Sequence, residues 1–534
     1  MSPVDLLARA VANFPDNIAY QIPKTSSSDD GLEEWTPVTY KEMDDDVDRY
    51  AKYWSFVLGK DGIKKRDTVV LWMEGHAYYE VIHLYALIKA GYIPQCISSR
   101  LPDVNTVYKL ASRSGAKALL YLPSVAIPED CPIVTHEVHN LSPDDVTIIS
   151  TDQTETVQTS LDDVIVIYHT SGSTGDLPKL VRMTERWAMT TAKNYAEASK
   201  MSEGSGTRIW VGSIAHAGQF LAANGAILKG NCIVQPTHFP YTASHFISMV
   251  RKCHVDVLPS WSPFLPPILR EARENPEVLS ALQGLDFILI SGSTPSAGDM
   301  EWARQNGLKI MNLFGLTEIG PLAHTVLAEG GGQEAHLFRF IEGIGAKLVP
   351  VENSHGSQSG DVVLLEAVVS CDSPIFPGSE FGSPTDGHLY TGDLFEEIKP
   401  RRYVYRGRTD DWINMGNGSR CDTKFIEDHI HSTCADLVTE CVVVGAGRIC
   451  PAVFVERNPS YKDGDVMMKK EIVLRLKEFN ARRYTNERIH DERLILVVEK
   501  GELPRTVIKG NVRRKAVEQT YTEVLDRMYV GISL

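Results

Sequence analysis

The feature that most constrains this chain is a loop rich in glycine, serine and threonine that follows an apolar strand. The run Leu161 to Tyr168 (LDDVIVIY) is strand-like, and HTSGSTGDLPK follows it and ends at Lys179. Hydroxyls, glycine backbone N–H groups and a lysine behind a strand are typical of phosphate-binding loops. A Walker A loop is excluded because it needs G-x-x-x-x-G-K-[ST], whereas Gly172 and Gly175 are three apart and Leu180 follows the lysine. The sequence therefore predicts a phosphate-binding loop of another type.

The same rhythm of short apolar strands and helical stripes extends over the first part of the chain. Thr68 to Trp72 (TVVLW) is typical of a buried strand, and a helical face follows it at spacings of three and four residues, formed by Val81, Leu84, Tyr85 and Ile88. Further strands that end in small or polar residues are predicted at Thr207 to Gly212, Val255 to Leu258, Phe287 to Ile290 and Lys309 to Leu313. This pattern predicts an α/β fold, in which ligands bind at the strand ends.

The texture changes in the last two fifths of the chain. Residues from about 330 to 406 form short strands between Gly/Ser/Pro turns, which predicts a small β-rich subdomain. Beyond it, strands are predicted at Glu440 to Val444, Ala452 to Glu456 and Leu494 to Val498, with one helix carrying Met468, Ile472, Leu476 and Phe479. We therefore expect a large N-terminal domain over residues 1–406 and a small α+β domain over residues 407–534.

Charge and composition exclude several classes of function. The 534 residues include 54 Lys+Arg and 69 Asp+Glu, so a formal charge of −15 gives no electrostatic basis for binding nucleic acid. The nine cysteines are scattered without CxxC spacing, which indicates neither a disulfide framework nor a zinc site. Asp5 and Arg9 interrupt the first residues, and no later stretch approaches the ~20 apolar residues of a membrane span. We expect a cytoplasmic protein without membrane association.

Six blocks in a fixed order resemble the adenylate-forming (AMP-binding) superfamily of acyl-CoA synthetases, luciferases and adenylation domains. The loop resembles Y-T-S-G-S-T-G-x-P-K-G. The other blocks are Ser291-Gly-Ser-Thr-Pro295, Asn312-Leu-Phe-Gly-Leu-Thr-Glu318, Tyr390-Thr-Gly-Asp393, Gly407-Arg-Thr-Asp410 and Leu503-Pro-Arg-Thr-Val-Ile-Lys509. The segment from Asp410 to Gly447 is most similar to fungal synthetase-like proteins that join adenylation, carrier and reductase domains, among them carboxylic acid reductases.

The resemblance implies binding of ATP and Mg²⁺ and assigns roles residue by residue. Thr317 would contact the α-phosphate, Glu318 would bind Mg²⁺, and Phe314 would stack on adenine, which needs no hydroxyl. Asp393 would accept both ribose hydroxyls. The full set of implied ATP-binding residues is Thr170, Ser171, Gly172, Ser173, Thr174, Gly175, Lys179, Asn312, Phe314, Gly315, Asp393 and Arg408.

The resemblance also implies where a carboxylic acid binds. The segment from Trp210 to Phe220 matches one wall of the family's acid pocket, and His216 matches the histidine of its H-A-G motif. Amino-acid-activating relatives usually carry an aspartate there, but this segment has none, and an unpaired buried ammonium is costly. We therefore expect an acid without an α-amino group, such as an aryl acid. The pocket candidates are His216, Gly218, Gln219, Ser291, Gly292, Ser293 and Leu313.

Two blocks depart from the common pattern. The terminal block of the family reads L-P-x-T-x-x-G-K, whereas Lys509 here precedes Gly510, and the nearby Arg513, Arg514 and Lys515 leave the alignment of the catalytic lysine open. Asn414 stands where many relatives have a lysine, which bears on the thioester step. Asp410 falls at the family's hinge, about which the C-terminal domain moves between two poses. The catalytic candidates are His216, Thr317, Glu318 and Lys509.

These observations predict ATP-dependent activation of a small carboxylic acid, followed by transfer to the phosphopantetheine thiol of a carrier protein. No G-x-D-S-L carrier motif occurs and 19 residues follow Lys515, so we expect the carrier to be a separate chain or domain. One alternative is a stand-alone acyl-CoA ligase, with coenzyme A as acceptor. An alternative of another class is a scaffold that binds nucleotide without turnover.

Overall fold

Packing divides the chain into two compact units. Unit 1 comprises Met1–Ala346 and Val369–Leu389, and unit 2 comprises Lys347–Val368 and Tyr390–Leu534. The computed structural model describes residues 2–24, 34–101, 103–125, 127, 131–141, 160–170, 178–261, 264–292, 295, 297–327, 336–351, 363–416, 420–481, 483, 487–506, 510 and 512–532. The domain boundary expected between residues 406 and 407 stays a prediction, because these units are defined by compactness and not by movement.

The first part of unit 1 is built around a six-stranded sheet. Its strand order is β6-β5-β3-β4-β7-β8, parallel throughout except for the antiparallel pair β7–β8. The strands are β3 (Thr68–Met73), β4 (Ile93–Ser98), β5 (Ala118–Tyr121), β6 (Val134–Glu137), β7 (Val164–His169) and β8 (Leu180–Thr184). The helices of this part are α1 (Pro3–Asn13), α2 (Tyr40–Lys60), α3 (Tyr78–Lys89), α4 (Val104–Ser114) and α5 (Glu185–Ala198).

A second sheet of unit 1 has the order β15-β14-β13-β12-β11-β9-β10-β1-β2. Its strands are β1 (Ile18–Pro23), β2 (Trp35–Thr39), β9 (Thr207–Ile209), β10 (Cys232–Val234), β11 (Val257–Trp261), β12 (Phe287–Ser291), β13 (Ile310–Leu316), β14 (Gly320–Thr325) and β15 (Phe338–Phe340). Its helices are α6 (Ala217–Lys229), α7 (Ala243–Cys253), α8 (Leu265–Glu274), α9 (Pro276–Gln283) and α10 (Ala297–Gln305). Strands β11, β12 and β13 are parallel, so their carboxyl ends share one edge.

The described residues of unit 2 contain three groups of strands. The first has the order β16-β17-β18-β19, and apart from Ala346, Val369 and Leu389 it lies within unit 2. The strands are β16 (Ala346–Pro350), β17 (Leu364–Val369), β18 (Leu389–Lys399), β19 (Arg402–Arg408), β20 (Trp412–Asn414), β21 (Arg420–Asp422), β22 (Val438–Val444), β23 (Ala452–Arg457) and β24 (Ile495–Val498). The helices are α11 (Thr423–Thr433), α12 (Asp465–Arg475), α13 (Lys477–Ala481), α14 (Arg514–Thr520) and α15 (Thr522–Met528).

Apolar patterning explains why these segments form these elements. All six residues of β3 are buried, as in a parallel strand covered on both faces. Helix α2, with 21 residues, buries one stripe that includes Met43, Val47 and Trp54, while its other face is polar. Among the described helices, none combines the length and apolar character that a bilayer crossing requires.

The predicted α/β fold class is confirmed, with differences in detail. The helix predicted through Met468 and Phe479 is two helices, because α12 ends at Arg475 and α13 begins at Lys477. Leu476 between them is fully buried, so the apolar spacing continues across the break. The strand predicted from Thr207 to Gly212 ends at Ile209, and the segment beyond it turns towards α6.

Candidate active site

The ends of the phosphate-loop candidate are fixed by the antiparallel strands β7 and β8. Thr170 follows β7 directly, and its backbone N–H donates to the carbonyl oxygen of Lys179 at 2.9 Å. Thr170 is buried, whereas Lys179 is exposed, with its Nζ 6.0 Å from the centroid of the Phe381 ring. Five predicted loop residues lie outside the described residues, namely Ser171, Gly172, Ser173, Thr174 and Gly175.

Thr317 and Glu318 lie in a tight turn between β13 and β14. Leu316 pairs with Gly320, whose φ of +71° is in the left-handed region that favours glycine. A Cβ on Gly315 would lie 2.5 Å from the carbonyl oxygen of Gly320, so the close approach of the two strands needs glycine here. The indole N–H of Trp187 donates to the Glu318 carbonyl oxygen at 3.0 Å. The turn is thus held from both sides, with both side chains half-buried.

Strand β13 presents its ATP-binding candidates and its acid-pocket candidate on opposite faces. Asn312 and Phe314 are two residues apart and therefore share a face, whereas Leu313 points to the other face and is buried. The backbone N–H of Asn312 donates to Oγ1 of Thr325 at 2.9 Å. The ring of Phe314 lies edge-on to Phe338, with the centroids 6.2 Å apart. Phe314 thus retains the aromatic surface that stacking on a nucleobase requires.

The start of helix α6 is fixed by contacts with two other segments. Ile214 donates its N–H to the carbonyl oxygen of Gly75 at 2.8 Å and accepts a bond from the Tyr168 hydroxyl at 3.0 Å. A Cβ on Gly75 would lie 2.7 Å from the Ile214 nitrogen, so this approach requires glycine. His216 is the N-cap residue of α6, and the carboxamide of Gln219 accepts from the Gly212 N–H at 3.2 Å. The segment that was predicted as a pocket wall is therefore rigidly positioned.

Histidines lie on all three of these segments. His169 ends β7 and His76 follows Gly75, while His216 lies two residues beyond Ile214. Burial first, and then the charge of His216, lower the pKa of His169 to about 4. Burial, Arg100 and His216 lower the pKa of His76 to about 4. Both imidazoles are therefore neutral at pH 7. Within the described residues, neither ring nitrogen of His169 has a hydrogen-bond partner.

The remaining pocket candidates gather around Trp261, a residue that the sequence patterns did not single out. Ser291 ends β12 in register with Trp261 and with Leu313 on the neighbouring strands. Gly218 and Gly292 lie against the same indole. Ser293 lies outside the described residues. A tryptophan at a strand end in VLPSWSP was the available signal, but its neighbours are distant in sequence.

In unit 2, Asp393 and Arg408 face each other across β18 and β19. The two residues are in register, and Nη1 of Arg408 lies 3.4 Å from Oδ2 of Asp393. The hydroxyl of Tyr405, which the sequence patterns also missed, donates to Oδ1 of Asp393 at 3.0 Å. Burial and the Asp393 charge raise the pKa of Tyr405, so its hydroxyl keeps its proton. The Asp393 side chain is 5% exposed, which leaves it oriented by these two partners.

The hinge candidate adjoins a network of ion pairs in unit 2. The backbone of Asp410 lies in the short 3-10 turn Thr409–Asp411. Oδ2 of Asp411 accepts from the Arg408 N–H at 3.0 Å, and Oδ1 lies 3.2 Å from Nη1 of Arg514. Nη2 of Arg514 lies 2.8 Å from Oε1 of Glu427. Lys509 lies outside the described residues, so its position stays a prediction.

The oxygen atoms of Thr317 and Glu318, in the turn between β13 and β14, are suitable ligands for Mg²⁺ that is bound together with a nucleotide. Glu318 brings one carboxylate and Thr317 one hydroxyl, which are oxygen donors of the kind that Mg²⁺ prefers. In the described ranges, no group of three or more His, Cys, Asp or Glu could hold a metal ion alone. Mg²⁺ is usually held by one or two carboxylates together with substrate phosphates. A single protein carboxylate is therefore a sufficient contribution.

Sequence comparison identifies two family matches. The model of the family described as "AMP-binding enzyme" matches residues 7–352. The model of the "AMP-binding enzyme C-terminal domain" matches residues 410–533.

Two curated fungal proteins show how the matches extend along the chain. The AMP-binding domain-containing enzyme iboA of Amanita muscaria (strain Koide BX008) is 31% identical over 520 residues, which cover 94% of this chain and 98% of iboA. The adenylate-forming reductase stbB of Stachybotrys bisbyi is 23% identical over 88% of this chain. The match covers 43% of stbB, so the chain spans less than half of that reductase.

A similar fold occurs in o-succinylbenzoate CoA synthetase (MenE) from Bacillus subtilis. The complex of that enzyme with its acyl-adenylate intermediate OSB-AMP has a TM-score of 0.75 at 18% identity, covering 96% of this chain and 97% of MenE. Its complex with ATP and a magnesium ion has a TM-score of 0.72 at 17% identity, covering 96% and 99% of the two chains. At this level of identity the likeness shows the fold.

Proposed function

Because this chain belongs to the AMP-binding enzyme family, we propose that it activates a small carboxylic acid without an α-amino group and passes the acyl group to a phosphopantetheine thiol of a carrier protein. The family itself establishes the coarser activity, an adenylate-forming ligase that uses ATP to activate an acid. The single observation that carries the finer proposal is the wall from Trp210 to Phe220, which is folded against Trp261 and contains no carboxylate.

Charge is the main obstacle in the first half-reaction. The acid oxygen attacks the α-phosphorus of ATP, the bond to the β-phosphate oxygen breaks, and acyl-AMP and pyrophosphate form. A carboxylic acid with a pKa near 4 is already ionised at pH 7, so this step needs no general base. Two unit charges ~4 Å apart repel by roughly 4 kcal/mol at an effective dielectric of 20. The chain must therefore supply cations and oriented donors at the reacting atoms.

Residues of unit 1 are suited to this task. The hydrogen bond from the Thr170 N–H to the Lys179 carbonyl oxygen joins the two ends of the phosphate-loop candidate. Thr317 would donate its hydroxyl to the α-phosphate. Glu318 would hold Mg²⁺, which, when bound, neutralises phosphate charge. The turn that carries both residues is braced by Trp187.

The composition of the predicted pocket wall argues against amino acids as substrates. A buried α-ammonium requires a carboxylate partner, since an isolated buried charge costs far more than it gains. Residues 210–220 include no Asp or Glu, and the Gln219 carboxamide oxygen already accepts from Gly212. The nearby His76 and His169 are neutral at pH 7. These groups suit an uncharged acyl portion.

Acid-dependent exchange of labelled pyrophosphate into ATP tests the first half-reaction. We expect exchange with aryl or simple aliphatic acids, and at least about tenfold weaker exchange with the matching α-amino acids. Preference for α-amino acids would contradict the proposed acid class. Nucleotide binding without exchange for any acid would instead favour the scaffold alternative.

The acyl acceptor is tested separately. Acyl-AMP and a thiol give a thioester and AMP, and the thiol is either a phosphopantetheinylated carrier protein or coenzyme A. The match to the reductase stbB supports a carrier, whereas the fold shared with a CoA synthetase supports the alternative acyl-CoA ligase. Mass spectrometry of products formed with each thiol distinguishes them. Acyl-CoA formation with no loading of any carrier would contradict the carrier proposal.

Tyr405 provides a prediction about nucleotide binding. We expect Tyr405→Phe to raise the KM for ATP about tenfold while kcat changes less than about threefold, because Asp393 loses a donor that orients it for the ribose hydroxyls. Steady-state exchange at varied ATP measures both constants. Tyr403→Phe on the same strand is the matched control, since its hydroxyl lies beside Glu397. Equal KM values for both variants would contradict the positioning role of Tyr405.

A further inference from the structure

Trp261 lies beside several of the residues predicted to line the acid pocket, namely Gly218, Ser291 and Gly292. It is the last residue of β11, and it pairs in register with Ser291 at the end of β12, which pairs in turn with Leu313 on β13. The side chain therefore stands at the sheet edge where parallel strands end and where α/β proteins bind ligands.

Two glycines make room for the indole, and a third lies in ordinary contact with it. A Cβ on Gly218 would lie 2.4 Å from Cη2 of Trp261, and one on Gly212 would lie 2.6 Å from Nε1. A Cβ on Gly292 would lie 3.7 Å from Cε3. The backbone of Gly212 and Gly218 is not left-handed, so glycine is needed at these two positions for space and not for conformation. The indole thus fills the volume that side chains at residues 212 and 218 would otherwise occupy.

Exposure separates Trp261 from a core tryptophan. Trp54, Trp187 and Trp210 are 1–2% exposed, as expected for side chains in the protein interior. Trp261 is half-buried, and one side packs against the apolar cluster that includes Leu265 and Ile290. Its remaining surface lies beside the residues predicted to line the pocket. An apolar ring held at this place would limit how far an acyl group extends.

Building on the proposed function, we propose that Trp261 is the specificity-determining residue that sets the depth of the acid pocket. The indole admits compact acids, with a short chain or a single ring, and excludes long acyl chains. A chain that is too long would have to displace an anchored side chain from its packed position, which is costly in a rigid site. Gly212 and Gly218 allow the indole to keep this position because neither has a side chain that would overlap it.

Pyrophosphate exchange with straight-chain acids of two to eight carbons tests the proposal. In the wild-type chain we expect kcat/KM to fall as the acid lengthens. In Trp261→Ala we expect kcat/KM for the eight-carbon acid, relative to the two-carbon acid, to rise at least about tenfold, the effect of fitting one or more extra methylenes. Trp261→Phe should lie between the two, and it serves if the alanine variant folds poorly.

A compensating substitution shows whether Trp261 limits the length of the substrate or only supports the fold. Gly218→Ala should lose activity towards every acid, because its new methyl overlaps the indole, and Gly218→Ala combined with Trp261→Ala should regain it. The KM for ATP and the unfolding temperature serve as controls and should stay near wild-type values in Trp261→Phe. An unchanged length profile in both Trp261 variants would overturn this inference alone. Wild-type exchange with no acid at all would overturn the proposed function, and this inference with it.

Discussion

Replacing Lys509 by alanine is expected to slow adenylation by about 10²–10³-fold, which is the usual effect of losing one preorganised donor to a developing charge. The sequence block from Leu503 to Lys509 resembles the family block that supplies a cation to the acid carboxylate and the α-phosphate. Acid-dependent pyrophosphate exchange measures the effect directly. Unchanged exchange in Lys509→Ala would contradict the assignment.

The neighbouring basic residues offer a sharp comparison. The Arg514 guanidinium is already engaged by Glu427, by Asp411 and by the carbonyl oxygen of Val443, so it is not available to an incoming substrate. Lys515 is exposed on α14. We expect Lys515→Ala to keep exchange within about twofold of wild type. A large loss in that variant, with Lys509→Ala unaffected, would move the catalytic role to Lys515.

Removing Arg514 is expected to lower the free energy of unfolding of unit 2 by about 3–5 kcal/mol, the typical effect of removing one partner of a buried ion pair. The side chains of Arg514 and Glu427 are 13% and 11% exposed, and Nη2 lies 2.8 Å from Oε1. The same carboxylate oxygen accepts the Val443 N–H at 2.7 Å. In Arg514→Met the Glu427 charge would remain buried without its cation. Urea unfolding, followed by hydrogen exchange in β22 and β23, measures the loss.

Two controls make this result specific. In the double variant Arg514→Met with Glu427→Gln no charge is left buried, so it should recover part of the lost stability. Lys424→Ala breaks an exposed pair with Asp428 on α11, whose side chains are 50% and 59% exposed, and should cost less than about 1 kcal/mol. If Arg514→Met costs no more than Lys424→Ala, the network does not stabilise unit 2.

Strands and helix faces were predictable because burial leaves a local pattern. The run TVVLW predicted β3, and the stripe from Val81 to Ile88 predicted α3, since each element buries residues at its own period. The period reports which face is buried but not where a helix breaks. The α12 and α13 pair was therefore predicted as one helix, because Leu476 keeps the apolar spacing across the junction.

The parts of the site that escaped prediction depend on contacts between distant segments. A Thr-Glu pair alone is more typical of a helix start than of the hairpin turn found at Thr317 and Glu318. The turn depends on the fit of Gly315 against Gly320 and on Trp187, which lies far earlier in the chain. The hydroxyl of Tyr405 likewise reaches Asp393 only once β18 and β19 have paired. No local pattern in the sequence encodes such contacts.

Gly212 and Gly218, which lie against Trp261, also restrict how this chain can diverge. A methyl at residue 218 overlaps the indole, so a larger side chain there becomes tolerable only after Trp261 has been exchanged for a smaller one. The same order applies to residue 212. Homologues that carry alanine or serine in place of Gly212 or Gly218 should therefore lack tryptophan at the position of Trp261. A lineage that acquires bulkier substrates would first have to replace Trp261 with a smaller aromatic or aliphatic residue.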